Sequence, residues 1–94
     1  MIEKIIDLLK IREYSFSELL YTLEIKNWKN LVKYLEKIKI ISKRKKWKLV
    51  IKPAYCKKCG YVFESEIKIP SKCPRCKSEW IEEPRFKIEN DKKH

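Results

Sequence analysis

Cys56-Lys-Lys-Cys59 and Cys73-Pro-Arg-Cys76 form two C-x2-C pairs separated by thirteen residues, and they hold every cysteine of the 94-residue chain. That spacing lets two short loops bring four thiolates to the corners of a tetrahedron, the geometry of a closed structural zinc site. The same four ligands also hold iron. In such a loop the backbone doubles back over the metal, so that amides following the first cysteine point at the sulfurs and offset their charge. The residue after the second cysteine then needs a positive φ. Gly60, the only glycine of the chain, stands at that position, where glycine carries no steric cost. Lys77 is its equivalent in the second loop, which must tolerate strain or close differently, while Pro74 presets φ within it.

Around these loops Tyr61, Phe63, Ser65, Ile67 and Ile69 alternate with Val62, Glu64, Glu66 and Lys68, which predicts a half-buried strand or hairpin ending at Pro70-Ser71. Trp80, Ile81, Phe86 and Ile88 are expected to cover its other side, and Glu82-Glu83 reads as a solvated acidic pair partnered by Arg85. A ribbon this small owes most of its folding free energy to the ion, about 10–16 kcal/mol for structural zinc in small peptides. His94, in the polar tail, is not needed as a ligand.

The first half has a different periodicity. Ile2, Ile5, Ile6, Leu8, Leu9 and Ile11 recur at helical spacing and predict a helix over 2–12. Ser15 followed by Glu18 fits a capping box opening a short helix over 16–23, with Phe16, Leu19, Leu20 and Leu23 on one face. Asn27 is the expected N-cap of a third helix that turns Trp28, Leu31, Val32, Leu35 and Ile38 inward. The period then changes to two. Lys39 to Ser42 and Trp47 to Ile51 read as two strands closed by the basic turn Arg44-Lys45-Lys46. Helix, helix, turn, helix and hairpin is the order of a winged helix-turn-helix, whose third helix enters the major groove. The expected class is α+β: a winged helix-turn-helix over 1–52 followed by a small β zinc ribbon over 53–94.

Charge supports a polyanionic partner. Of the net +11, residues 26–52 carry +10, with eleven basic side chains against Glu36 alone. Like charges crowded this way repel one another and are relieved by a polyanion. Asn27, Lys29, Asn30, Lys33 and Lys37 on the third helix, and Lys43, Arg44, Lys45, Lys46 and Lys48 around the wing, are the candidate contacts to double-stranded DNA. No constellation for nucleophilic catalysis is present, one glycine cannot build a phosphate loop, and a closed four-thiolate site leaves no position for water; a non-enzyme is expected. No apolar run approaches a membrane span, and acids interrupt the apolar pattern of the N-terminus, so a cytoplasmic protein with reduced thiols is expected.

From Ile51 to Phe86, IKPAYCKKCGYVFESEIKIPSKCPRCKSEWIEEPRF with its winged-helix prelude resembles a small archaeal family of transcriptional regulators that join a winged helix-turn-helix to a rubredoxin-like zinc ribbon, most specifically over Pro53 to Phe86. The resemblance implies zinc at Cys56, Cys59, Cys73 and Cys76 and a role in DNA binding; it transfers no base-reading residues. Rubredoxin itself has glycine where this chain has Lys77, which counts against a tuned iron site. Two other functions stay open: an adaptor whose ribbon docks on a protein of the transcription or RNA machinery, and a small iron electron carrier. Monomer or homodimer is also left open.

Overall fold

The computed structural model describes residues 1–64, 67 and 70–90. Apolar spacing of three and four closes α1 (Ile2–Ile11), which buries Ile5 and Leu9 and leaves Ile11, at its last position, exposed. After β1 (Tyr14–Ser15), the capping box opens α2 (Phe16–Thr22): the Glu18 amide donates to Ser15 Oγ at 3.2 Å, and the Ser15 amide donates to Glu18 Oε1 at 2.9 Å. Asn27 caps α3 (Trp28–Ser42), its Oδ1 accepting from the Lys29 amide at 3.0 Å. Leu31, Leu35 and Ile38 are buried, whereas Trp28, expected inside, is 46% exposed.

The strand expected over residues 39–42 does not exist; those residues are the last turn of α3. Ser42 Oγ donates to the Lys39 carbonyl at 2.7 Å within that turn. Arg44-Lys45-Lys46 offers no glycine, asparagine or aspartate to adopt the positive φ of a tight hairpin turn, and no two-stranded hairpin closes there. The chain continues instead into β2 (Trp47–Lys52), whose partner is distant in sequence: β5 (Arg85–Asn90). The pair is antiparallel from Trp47 opposite Asn90 to Lys52 opposite Arg85, and Tyr14 and Ser15 of β1 face Phe86 and Arg85 on the other side. The sheet order is β1-β5-β2.

This long-range pairing settles where the C-terminal apolar residues go. Phe86 and Ile88 do not cover the ribbon; they are buried in one core with Ile5, Leu9, Phe16, Leu19, Leu31, Leu35 and Ile38. Residues 85–90, expected in the second unit, thus form the middle strand of the sheet on which the helices lie. Between β2 and β5 the chain makes a second, two-stranded sheet, β3 (Tyr55–Cys56) with β4 (Ile81–Glu82), in which Cys56 faces Ile81. Of the strand expected over 61–69, Val62 forms a single bridge to Tyr55, and Ile67 is buried in the main core; Ser65, Glu66, Lys68 and Ile69, like His94, lie outside the described residues. No helix among the described residues is long and apolar enough to cross a membrane.

Candidate metal centre

Each cysteine pair sits in a loop closed by the same backbone bonds. In the first, the Gly60 amide donates to the Cys56 carbonyl at 2.9 Å and the Cys56 amide to the Tyr61 carbonyl at 2.8 Å; in the second, the Lys77 amide donates to the Cys73 carbonyl and the Cys73 amide to the Ser78 carbonyl, both at 2.9 Å. Gly60 has φ +80°, as the sequence requires, and Lys77 adopts the same left-handed conformation at φ +66°. A Cβ added at Gly60 would meet nothing within 4 Å, so backbone conformation, not space, selects glycine there. The lysine accepts strain of about 1–2 kcal/mol.

The two loops face each other and bring the four sulfurs within 4.8 Å of one another. Cys56 Sγ lies 3.5 Å from Cys76 Sγ, and Cys59 Sγ lies 3.6 Å from Cys73 Sγ. A tetrahedron with metal–sulfur bonds of about 2.3 Å has edges of about 3.8 Å, so one ion fits among these donors. The separations are far longer than a disulfide of about 2.05 Å, and all four cysteines are free. Cys56 and Cys73 are buried, Cys76 is half-buried and Cys59 is exposed.

The electrostatics call for a cation. The Cys59 amide, directed at Cys56 Sγ, draws the Cys56 thiol down to about 6 against the opposition of burial. Burial raises Cys73, but the amides of Cys76 and Arg75 outweigh it and its pKa falls. The Tyr61 amide pulls Cys59 down too, yet burial and the crowd of neighbouring sulfurs win and push it up to about 11. Without an ion the four sulfurs cannot share full negative charge at this spacing; a divalent cation removes the conflict.

The surroundings of the site differ from the sequence reading at two residues. Trp80, expected to cover the ribbon strand, is 62% exposed, with the Lys57 ammonium 5.9 Å from the centre of its ring. Glu83, read as solvated, accepts from the Ser17 amide at 2.6 Å and from Ser17 Oγ at 2.8 Å, fastening the ribbon's exit to the start of α2. Nothing local marks that partnership, because 66 residues separate the two. Glu82 pairs with Lys57 at 3.1 Å and with Arg85 at 3.9 Å, as the second partner was expected to be.

The candidate DNA contacts are gathered on one element and its exit. Lys29, Asn30, Lys33 and Lys37 are exposed on the face of α3 opposite Leu31, Leu35 and Ile38, and Asn27 sits at its start. Lys43 to Lys46, expected as a wing, are instead the exposed connection from α3 to β2; Lys48 is exposed on β2.

Residues 53–91 match the PF0610 rubredoxin-like zinc beta-ribbon domain. No curated protein matches the chain. Among solved structures, the solution NMR structure of protein PF0610 from Pyrococcus furiosus matches with a TM-score of 0.82 at 53% identity, covering 95% of this chain and 88% of that one. With identity at that level along nearly the whole of both chains, and with the four thiolates placed to bind one metal ion in a zinc ribbon, this chain belongs to the family of PF0610.

Proposed function

We propose that the protein is a non-enzymatic transcriptional regulator that binds duplex DNA through a winged helix-turn-helix, with zinc holding a ribbon that occupies the place of the wing. The carrying observation is electrostatic: among the described residues, Lys29, Lys33, Lys37, Lys43, Arg44, Lys45 and Lys46 are exposed and none is in an ion pair. Seven uncompensated cations along one helix and its exit favour a phosphate backbone. Topology adds support. The order α1, β1, α2, α3, β2, β5 with the sheet β1-β5-β2 fits the reading of a winged helix whose two long strands are joined by the ribbon rather than by a short loop.

Duplex binding by the zinc-loaded protein across about 50–300 mM salt tests the reading. If about five phosphates are neutralised, log K falls against log salt with a slope near −4 to −5; promoter preference over random duplex marks a sequence-specific regulator. No binding at the lowest salt overturns it. One zinc and no iron per chain is the expected metal content, and a red, redox-active protein from iron-replete cells would identify an electron carrier instead.

A second reading, a protein adaptor, is favoured by the exposed face of the ribbon. Tyr55, Val62 and Trp80 of the ribbon are exposed, the first two paired across a β-bridge, and exposed tryptophan and tyrosine anchor protein interfaces. Capture of a partner that Trp80→Ala abolishes, insensitive to salt, distinguishes it.

A further inference from the structure

Only Glu83 and Pro84 separate β4, which is paired with the strand carrying the first metal-ligating cysteine, from β5, the middle strand of the helical unit's sheet. Both residues are fastened to α2. The Ser17 amide and hydroxyl donate to the Glu83 carboxylate, and the Phe16 amide donates to the Pro84 carbonyl at 3.2 Å. Pro84 is fully buried, and two residues on the Phe86 ring lies 6.3 Å from that of Phe16. Arg85 faces Glu13 at 3.5 Å and Glu18 at 3.9 Å.

The first amides of a helix have no partner within it. In α2 the Glu18 amide is satisfied by Ser15, but those of Phe16 and Ser17 depend on residues delivered by the ribbon. A seven-residue helix has little stability of its own. The ribbon delivering those partners has two strands of two residues each and draws its order from the ion. Phe16 and Leu19 of α2 share a core with Leu31 and Leu35 of α3, so the start of α2 is continuous with the helix bearing the exposed cations.

The geometry points to a metal-operated switch: occupancy of the four-thiolate centre is transmitted through Glu83 and Pro84 to the first turn of α2, and sets how well α3 is presented. The consequence for DNA rests on the duplex-binding reading; the link itself does not. Because coupling is reciprocal, DNA must also raise the affinity for zinc by the factor by which zinc raises the affinity for DNA.

The test is amide exchange by NMR on the full chain, zinc-loaded and after chelation with the thiols kept reduced. Exchange at Phe16 and Ser17 is expected to quicken by about tenfold or more on zinc removal and to recover when zinc is restored; unchanged exchange overturns the link. If chelation unfolds the whole chain, Glu83→Ala in the zinc-loaded protein decides. It is expected to keep one zinc, to exchange about tenfold faster at Ser17 and to bind duplex several-fold more weakly, while wild-type exchange rates at Ser17 overturn the proposal. Should zinc-loaded wild type bind no duplex, the DNA reading fails alone, and the exchange measurement still judges the link.

Discussion

Gly60 and Lys77 occupy equivalent positions in two loops with the same hydrogen bonds, and both have positive φ. They make a matched pair for measuring what the backbone alone costs. Gly60→Ala meets no neighbour, so its expected loss of about 1 kcal/mol in zinc-loaded stability is conformational. Lys77→Gly is expected to gain up to about 1 kcal/mol, the relief of strain being partly offset by the entropy of glycine in the unfolded chain. Thermal unfolding of both variants checks the pair. Phe86 is a third residue whose role the tertiary structure assigns. Fully buried against Phe16, it is expected to cost about 3–5 kcal/mol on mutation to alanine. Denaturant unfolding reads this, and a loss confined to the ribbon would contradict its place in the main core.

At the level of elements, α2 shows how a weak helix is held. Its capping box was legible because Ser and Glu three apart satisfy each other's amides locally, and Ser15→Ala is expected to lower stability by about 1 kcal/mol in denaturant unfolding. Acid acts on the same region. A hydrogen bond from Lys52, helped by the charge of Arg85, holds the Glu13 pKa below 4.5, and the Ser15 amide does the same for Glu18. Folding lowers both values, so the unfolded chain binds more protons in acid; their contribution is complete above pH 4.5 and is lost as pH falls through the lower folded-state values. Urea midpoints from pH 7 to pH 3 should fall accordingly, and less steeply in Glu13→Gln. The missing wing strand belongs to this scale too. Residues 39–42 alternate in no decisive way, and only the continuing helix, with Ile38 buried beneath, determines their state.

For the whole molecule, the metal and the charge make separate predictions. Cys59→Ser is expected to lose zinc and the β3–β4 pairing while α1 and α3 keep most of the far-UV helical signal; retained stoichiometric zinc would refute the ligand assignment. On the proposed duplex-binding reading, reversing Lys43, Arg44, Lys45 and Lys46 together is expected to abolish duplex binding at about 150 mM salt by removing roughly four phosphate contacts, and undiminished binding would remove the α3–β2 connection from that reading. The four ligands, the knuckle glycine, the three helices and the basic stretch were all readable in the chain, because a C-x2-C spacing, a positive φ, a helical period and a run of lysines are properties of near neighbours. The partner of β2, the burial of Phe86 and the attachment of Glu83 to Ser17 were not. Each joins residues more than thirty apart through hydrogen bonds and apolar contacts that any strand of suitable pattern could supply, and only the closing of the sheet around the ribbon selects this one.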